Sequence, residues 1–314
     1  MAAEGMVLRL GTRGSPLALA QAHEARGRLC AAHGWPEHRV EIVVIKTTGD
    51  AIQDRALSEA GGKGLFTKEL DLALMAGDIE IAVHSAKDLP THLPDAVALS
   101  GFLPREDVRD AFIARDGGTI ADLPRGAVVG SASLRRQAQI RRLRPDLDVR
   151  LLRGNVQTRL RKVDAGEYHA TILAMAGLKR LGLTERVTEQ LALHDFLPAV
   201  GQGAIAITAR TGDAATADAL APILDRATGL ALAAERAFLL VLDGSCRTPI
   251  AGHATVRDGH ILFRGQVLAA DGSESVETVT DGPDAAAETV GRAAGRDLLA
   301  RAPAHLLAAF RGAH

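Results

Sequence analysis

The sequence predicts an α/β fold: sheets of mainly parallel strands, followed by a smaller α+β unit. Three observations carry this. Short apolar strand signals alternate with helix signals up to Pro90. The alternation restarts after Pro104. The last third then changes to a hairpin and an Ala-rich helix. Strands separated by helices need crossover connections, which favour parallel pairing.

Taken in order, Val7–Leu10 is a short apolar strand. Ser15-Pro16 combines a good N-cap with a good first helical residue, so a helix runs from Leu17 to about Ala32, with Gly34 beyond it. Val40–Ile45 is a strand, residues 61–64 (GGKG) a loop, and Leu65–Met75 a helix stopped near Gly77-Asp78. Ile79–Val83 is a strand that runs into His84-Ser85-Ala86-Lys87-Asp88-Leu89-Pro90. In the second set, Ala127–Gly130 is a strand, Leu134–Leu143 a basic helix, Val149–Leu152 a strand, Val156–Ala165 a helix and Ala170–Ala174 a strand. Asp195-Phe196-Leu197-Pro198 breaks the pattern, and Gly201-Gln202-Gly203 leads into a strand at Ala204–Thr208. Thr228–Leu242 is a long helix and residues 244–249 a loop. Asp258-Gly259 joins Thr255–Val256 to Ile261–Val267 as a hairpin. A strand at Val276–Val279 precedes a helix from Asp284 to about Ala309.

A length of 314 residues predicts two or three domains. Apolar residues at 47% and charged residues at 24% exclude a disordered chain. Aromatics at 3% leave little for base stacking, and a net charge of −1 argues against a globally basic nucleic-acid binder. Cys30 and Cys246 are too few for a disulfide scaffold or a four-thiolate zinc site, and the His spacing holds no zinc pattern, so no metal is expected. No signal peptide and no membrane span are read, and a reduced, cytoplasmic setting is expected.

Residues 125–162 hold ten Arg and one Lys against two Asp, a local charge of +9. Arg135, Arg136, Arg141, Arg142 and Arg144 cluster at one helix. Arg153 and Arg159 flank Gly154-Asn155, where a strand turns into a helix and backbone N–H groups add to the positive end. Such a segment suits phosphates or several carboxylates, or is a solvated basic face. Lys87-Asp88 follows a strand, where ligands of open α/β sheets bind. A carboxylate there serves acid/base chemistry or stabilises a cation, or else it is an ion pair or a helix cap. Cys246 sits beside Arg247 in a Gly-Ser-Cys-Arg-Thr-Pro loop, either as an activated nucleophile or as a small buried residue; Cys30 reads as the latter. Residues 61–64 lack the P-loop spacing, and Gly201-Gln202-Gly203 precedes a strand, so neither is a nucleotide motif.

Eight segments, in order, resemble the porphobilinogen deaminase family over almost the whole chain. They are Thr12–Leu19, Gly61–Leu65, His84–Pro90, Ser131–Gln137, Leu152–Leu160, Ala176–Leu181, Pro198–Gly203 and Gly244-Ser245-Cys246. The strand after Gly203 departs from the family: Thr208-Ala209 stands where many members carry Glu-Cys. The resemblance implies two periplasmic-binding-protein-like lobes with mixed, mainly parallel sheets, plus a small α+β C-terminal domain. The expected division is residues 1–102 completed by 201–219, an Arg-rich lobe at 103–200, and a cofactor-cysteine domain at 220–314. It implies a cytoplasmic monomer that binds neither nucleic acid nor membrane.

The resemblance also implies a transferase. A dipyrromethane cofactor is held through Cys246 as a thioether, and four porphobilinogens are condensed onto it with loss of ammonia, releasing hydroxymethylbilane. Asp88 matches the catalytic carboxylate. Lys87, Ser133, Arg135, Arg136 and also Asp88 match cofactor-binding positions. Arg13, Ser15, Lys63, Arg153, Arg159 and Arg180 match substrate-binding positions, and Phe66 either packs on a pyrrole ring or simply packs its loop. The alternative is a two-lobed anion-binding sensor without catalysis, which needs neither Asp88 nor Cys246.

Overall fold

The computed structural model describes residues 7–51, 66–242 and 249–311. Packing divides them into two units. The first holds 7–51, 66–106 and 204–229; the second holds 107–203, 230–242 and 249–311.

In the first unit, β1 (Leu8–Thr12), α1 (Pro16–His33), β2 (Val40–Val44), α2 (Thr48–Ala51), α3 (Lys68–Ala76), β3 (Ile81–Ser85) and β4 (Val97–Phe102) come in chain order. In the second, β5 (Asp110–Ala114), β6 (Val128–Gly130), α4 (Leu134–Leu143), β7 (Asp148–Arg150), α5 (Val156–Asp164), β8 (Ala170–Ala174), α6 (Met175–Arg180) and β9 (Glu189–Gln190) follow. The chain then supplies β10 (Ile205–Arg210) and α7 (Ala214–Leu220) to the first unit. After α8 (Arg226–Val241) come β11 (Ile250–Arg257), β12 (His260–Leu268), β13 (Ser275–Pro283), α9 (Ala287–Arg301) and α10 (Ala304–Arg311).

The first sheet has the order β2-β1-β3-β10-β4. β1 runs parallel to β2 and β3, and β10 runs antiparallel to β3 and β4. Apolar side chains cover both faces. Leu10, Ile81, Ile205 and Ile207 pack with Leu29 of α1, and Ile79 and Val97 pack with Leu70 and Leu74 of α3. Two-sided burial is what a sheet with crossover helices requires. α1 begins as the sequence predicts: the Ser15 hydroxyl accepts from Ala18 N, Pro16 takes the first turn, and Gly34 caps the end at φ 65°.

The second unit carries a sheet of order β7-β6-β8-β5-β9. Its pairings again divide evenly, with β6 parallel to β7 and β8, and β5 antiparallel to β8 and β9. Both sheets are therefore mixed, and the antiparallel members β4, β5 and β9 are strands the sequence pattern did not mark. Phe112, Val129, Ile140, Ile172 and Phe196 fill one face, and Ile113, Leu160, Leu173 and Leu178 the other.

The C-terminal part is the predicted α+β element: an antiparallel sheet β11-β12-β13 packed by α9. Asp258 and Gly259 both have positive φ, 52° and 75°, as a two-residue hairpin turn requires. The single expected helix from Asp284 to Ala309 is divided, because Pro303 falls between α9 and α10. The β12–β13 turn lies on α4. Arg141 Nη1 donates to Ala270 O at 2.8 Å, and a Cβ on Gly272 would stand 2.6 Å from Ala138 O.

Candidate active site

In the first unit, functional side chains converge where β1 and β3 end. Arg13 leaves β1, Ser15 caps α1, and Asp88 closes a short 3₁₀ turn (Ala86–Asp88) after β3. All three line one recess together with Phe66, Gln21 and Ser85. The Arg13 guanidinium lies 4.0 Å from the centre of the Phe66 ring, so the aromatic face braces the cation. Phe66 thus meets Arg13, whichever of its two expected roles it serves. Lys87 and Asp88 are half-buried in the same turn.

Two pairs in this recess carried no assigned role in the sequence. Gln21 Nε2 donates to Ser85 Oγ at 3.0 Å, fixing α1 to the end of β3. His84 is 6% exposed, and its Nε2 lies 3.0 Å from Thr208 Oγ1 on β10. Burial, aided by the charge of Arg13, pulls the His84 ring down from 6.5 to about 4. His84 is therefore neutral at physiological pH.

In the second unit, Ser133 caps α4 by accepting from Arg136 N, and Asn155 caps α5 by accepting from Thr158 N. Arg153 stands just before α5, and among the described residues its buried Nη1 has no hydrogen-bond partner. Arg159 Nε donates to Gly154 O at 2.8 Å, and Arg180 Nη2 to Gly203 O at 3.2 Å. Arg135 and Arg136 differ from the exposed basic helix that charge alone suggests. They are 4% and 5% exposed, and both donate to Asp110 on β5. Burial alone would raise Asp110, but the two guanidiniums hold it down to about 2. Not all of the +9 segment faces water: two of its charges are folded inward on a carboxylate that carries no local sequence signal.

Lys63 and Cys246 lie outside the described residues. Cys30 is half-buried on α1, and burial with the nearby Glu37 pushes its thiol pKa up, away from a reactive thiolate. Among the described residues, no group of three or more His, Cys, Asp or Glu could hold a metal ion, and no helix is long and apolar enough to cross a membrane.

Fold and site define an α/β protein with a recess at the strand ends lined by an arginine, a serine and an aspartate. Comparison with known proteins is specific. The family model "Porphobilinogen deaminase, dipyromethane cofactor binding domain" matches residues 8–218, and "Porphobilinogen deaminase, C-terminal domain" matches residues 230–300. Proteins called porphobilinogen deaminase from Nitrobacter winogradskyi and Nitrobacter hamburgensis are each 56% identical over 304 residues, covering 97% of this chain and 96% of theirs. Among solved structures, the periplasmic VFT2 domain of Bordetella pertussis BvgS is 16% identical, with a TM-score of 0.41 over 73% of this chain and 92% of that one, too distant to inform the site. The chain belongs to the porphobilinogen deaminase family.

Proposed function

We propose that the chain condenses four porphobilinogen molecules head to tail, with loss of ammonia, onto a covalent dipyrromethane cofactor and releases hydroxymethylbilane for tetrapyrrole biosynthesis. The observation that carries the residue-level reading is the recess shared by Asp88, Arg13 and Ser15 at the ends of β1 and β3. A sensor has no use for the acid, and family membership favours the transferase.

The residues fit the cofactor. A dipyrromethane bears several carboxylates, and the buried Nε of Arg135, which has no hydrogen-bond partner among the described residues, is a donor that such a carboxylate satisfies. When bound, the cofactor supplies the nucleophilic pyrrole carbon onto which chain growth begins. Cys246, which stands where the family carries its cofactor cysteine, is the attachment point in this reading. Arg135, Arg136, Ser133 and Lys87 serve the cofactor side. Arg13, Ser15, Lys63, Arg153, Arg159 and Arg180 bind the acetate and propionate of the substrate, with Phe66 bracing Arg13.

Asp88 does the proton and charge work. Departure of ammonia from porphobilinogen leaves a cationic, electrophilic carbon and a pyrrole N–H. The Asp88 carboxylate accepts that N–H and stabilises the positive charge, and afterwards it helps to carry off the proton displaced by carbon–carbon bond formation. The buried neutral His84 and the Gln21–Ser85 pair fix the β3 end from which Asp88 projects. The proposed division of labour follows three domains, 1–102 with 201–219, 103–200, and 220–314. It is supported by the separate pairing of the β11–β13 sheet. The chain works as a cytoplasmic monomer.

Intact mass tests the reading. The wild-type chain carries two additional linked pyrrole units, and Cys246→Ala carries none. Asp88→Ala lowers turnover by at least about a hundredfold with an unchanged melting temperature. An unmodified wild-type mass even after incubation with porphobilinogen rejects the cofactor reading, and near-normal turnover of Asp88→Ala rejects the role of the acid.

A further inference from the structure

Asp110 is a carboxylate held wholly out of water by two arginines. It opens β5, is 0% exposed, and accepts from Arg135 Nη2 at 2.7 Å, Arg136 Nη2 at 2.7 Å and Arg136 Nε at 3.1 Å. Gln202 Nε2 adds a fourth donor at 2.9 Å. Other arginine donors are anchored to backbone: Arg135 Nη1 to Leu197 O at 2.7 Å, and Arg136 Nη1 to Ile172 O at 3.1 Å. Gln202 Nε2 also donates to Val108 O at 2.7 Å. The cluster therefore braces the segment by which the chain enters the second unit and the segment by which it leaves.

The charges do not balance. Among the described residues, two guanidiniums face one carboxylate in a buried place, and Arg135 Nε has no hydrogen-bond partner. Burial depresses Arg135 in spite of Asp110. An uncompensated buried cation is costly, and a second anion relieves it. Without Asp110 the two cations, adjacent in sequence, would repel each other and lose their shared orientation.

We propose that Asp110 is a positioning residue for the cofactor: it locks Arg135 and Arg136 into one fixed pair and leaves a single positive charge to receive a dipyrromethane carboxylate. Asp110 does not touch the cofactor and acts only through the arginines. The proposal rests on the reading that Arg135 and Arg136 serve the cofactor.

The test uses full-length chains: wild type, Asp110→Asn, Asp110→Glu, Gln202→Met and Arg135→Leu. The folded fraction of each is weighed intact, and the share carrying the two-pyrrole mass is recorded beside its melting temperature. Asp110→Asn lowers the loaded share of folded molecules about fivefold, Asp110→Glu recovers at least about half of that loss, and Gln202→Met, which keeps the charge, costs about twofold. A purely structural Asp110 lowers the melting temperature but leaves the loaded share of folded molecules at the wild-type level, and that result overturns the proposal. So does a Glu variant that loads as poorly as Asn. If Asp110→Asn yields no folded protein, Gln202→Met decides, and wild-type loading there overturns the proposal. Normal loading of Arg135→Leu instead overturns the underlying reading of the arginines, whatever the Asp110 variants do.

Discussion

His84 makes the stability of this protein depend on pH in a window that its buried acid Asp110 does not share. The ring is buried on β3 beside Thr208 of β10, and burial with the charge of Arg13 holds its pKa at about 4, against 6.5 for an ordinary histidine. The unfolded chain binds a proton near 6.5, whereas the folded one resists it until about 4. Stability is thus intact above 6.5 and is lost as pH falls through the folded value. At 1.36 kcal/mol per pH unit, the full displacement is about 3 kcal/mol, of which about 2.5 kcal/mol falls between pH 7 and 4.5. Asp110, held at about 2 against 3.8, loses its contribution only below this window. The perturbation is His84→Asn, and the assay is urea unfolding of wild type and variant at pH 7 and 4.5. The variant is less stable at pH 7, having lost the packing and the Thr208 contact, but it gives up about 2.5 kcal/mol less than wild type on acidification. Equal losses in both chains, or an NMR titration of the His84 ring near 6.5, would refute the reasoning.

Arg153→Leu removes a charged donor from the head of α5, and a hydrogen bond to a charged group is worth about 2 kcal/mol, so kcat/KM for porphobilinogen drops about thirtyfold at unchanged melting temperature. Steady-state kinetics check this, and an unchanged ratio excludes Arg153 from substrate binding. Gly272→Val places a branched side chain at φ 78°, against Ala138 O and Arg142 N of α4. The variant loses about 3 kcal/mol, read by urea unfolding, through strain and overpacking. Wild-type stability would mean that the β12–β13 turn does not rest on α4.

Legibility followed local chemistry. α1 was readable because Ser15, Pro16 and Gly34 are local signals that act where they stand. The hairpin at Asp258-Gly259 was readable for the same reason, since its two positive φ values favour those residue types. β4 and β5 were not marked. Val97–Phe102 is interrupted by Ser100-Gly101, and β5 opens on a charged residue whose partners lie at 135 and 136. The basic segment was visible as charge, but composition does not separate a solvated arginine from one folded onto a distant acid. Arg13, Ser15 and Asp88 were each visible, and β1 and β3 bring them to one recess because their ends are neighbours in the sheet. The Gln21–Ser85 and His84–Thr208 pairs had no sequence signal, since each joins ordinary polar residues across long separations.

The interleaved first sheet sets an order in which the nascent chain can settle. All strands of the second sheet lie between Asp110 and Gln190, so its pairing partners are complete once that stretch has left the ribosome. The first sheet starts earlier, at Leu8, but β10 separates β3 from β4 and arrives only with Ile205–Arg210. Until then β3 and β4 each present an edge that lacks its native neighbour, the kind of edge that recruits the wrong strand. Synthesis thus finishes the later lobe first. The half-made earlier lobe is the species that carries these two unpaired edges.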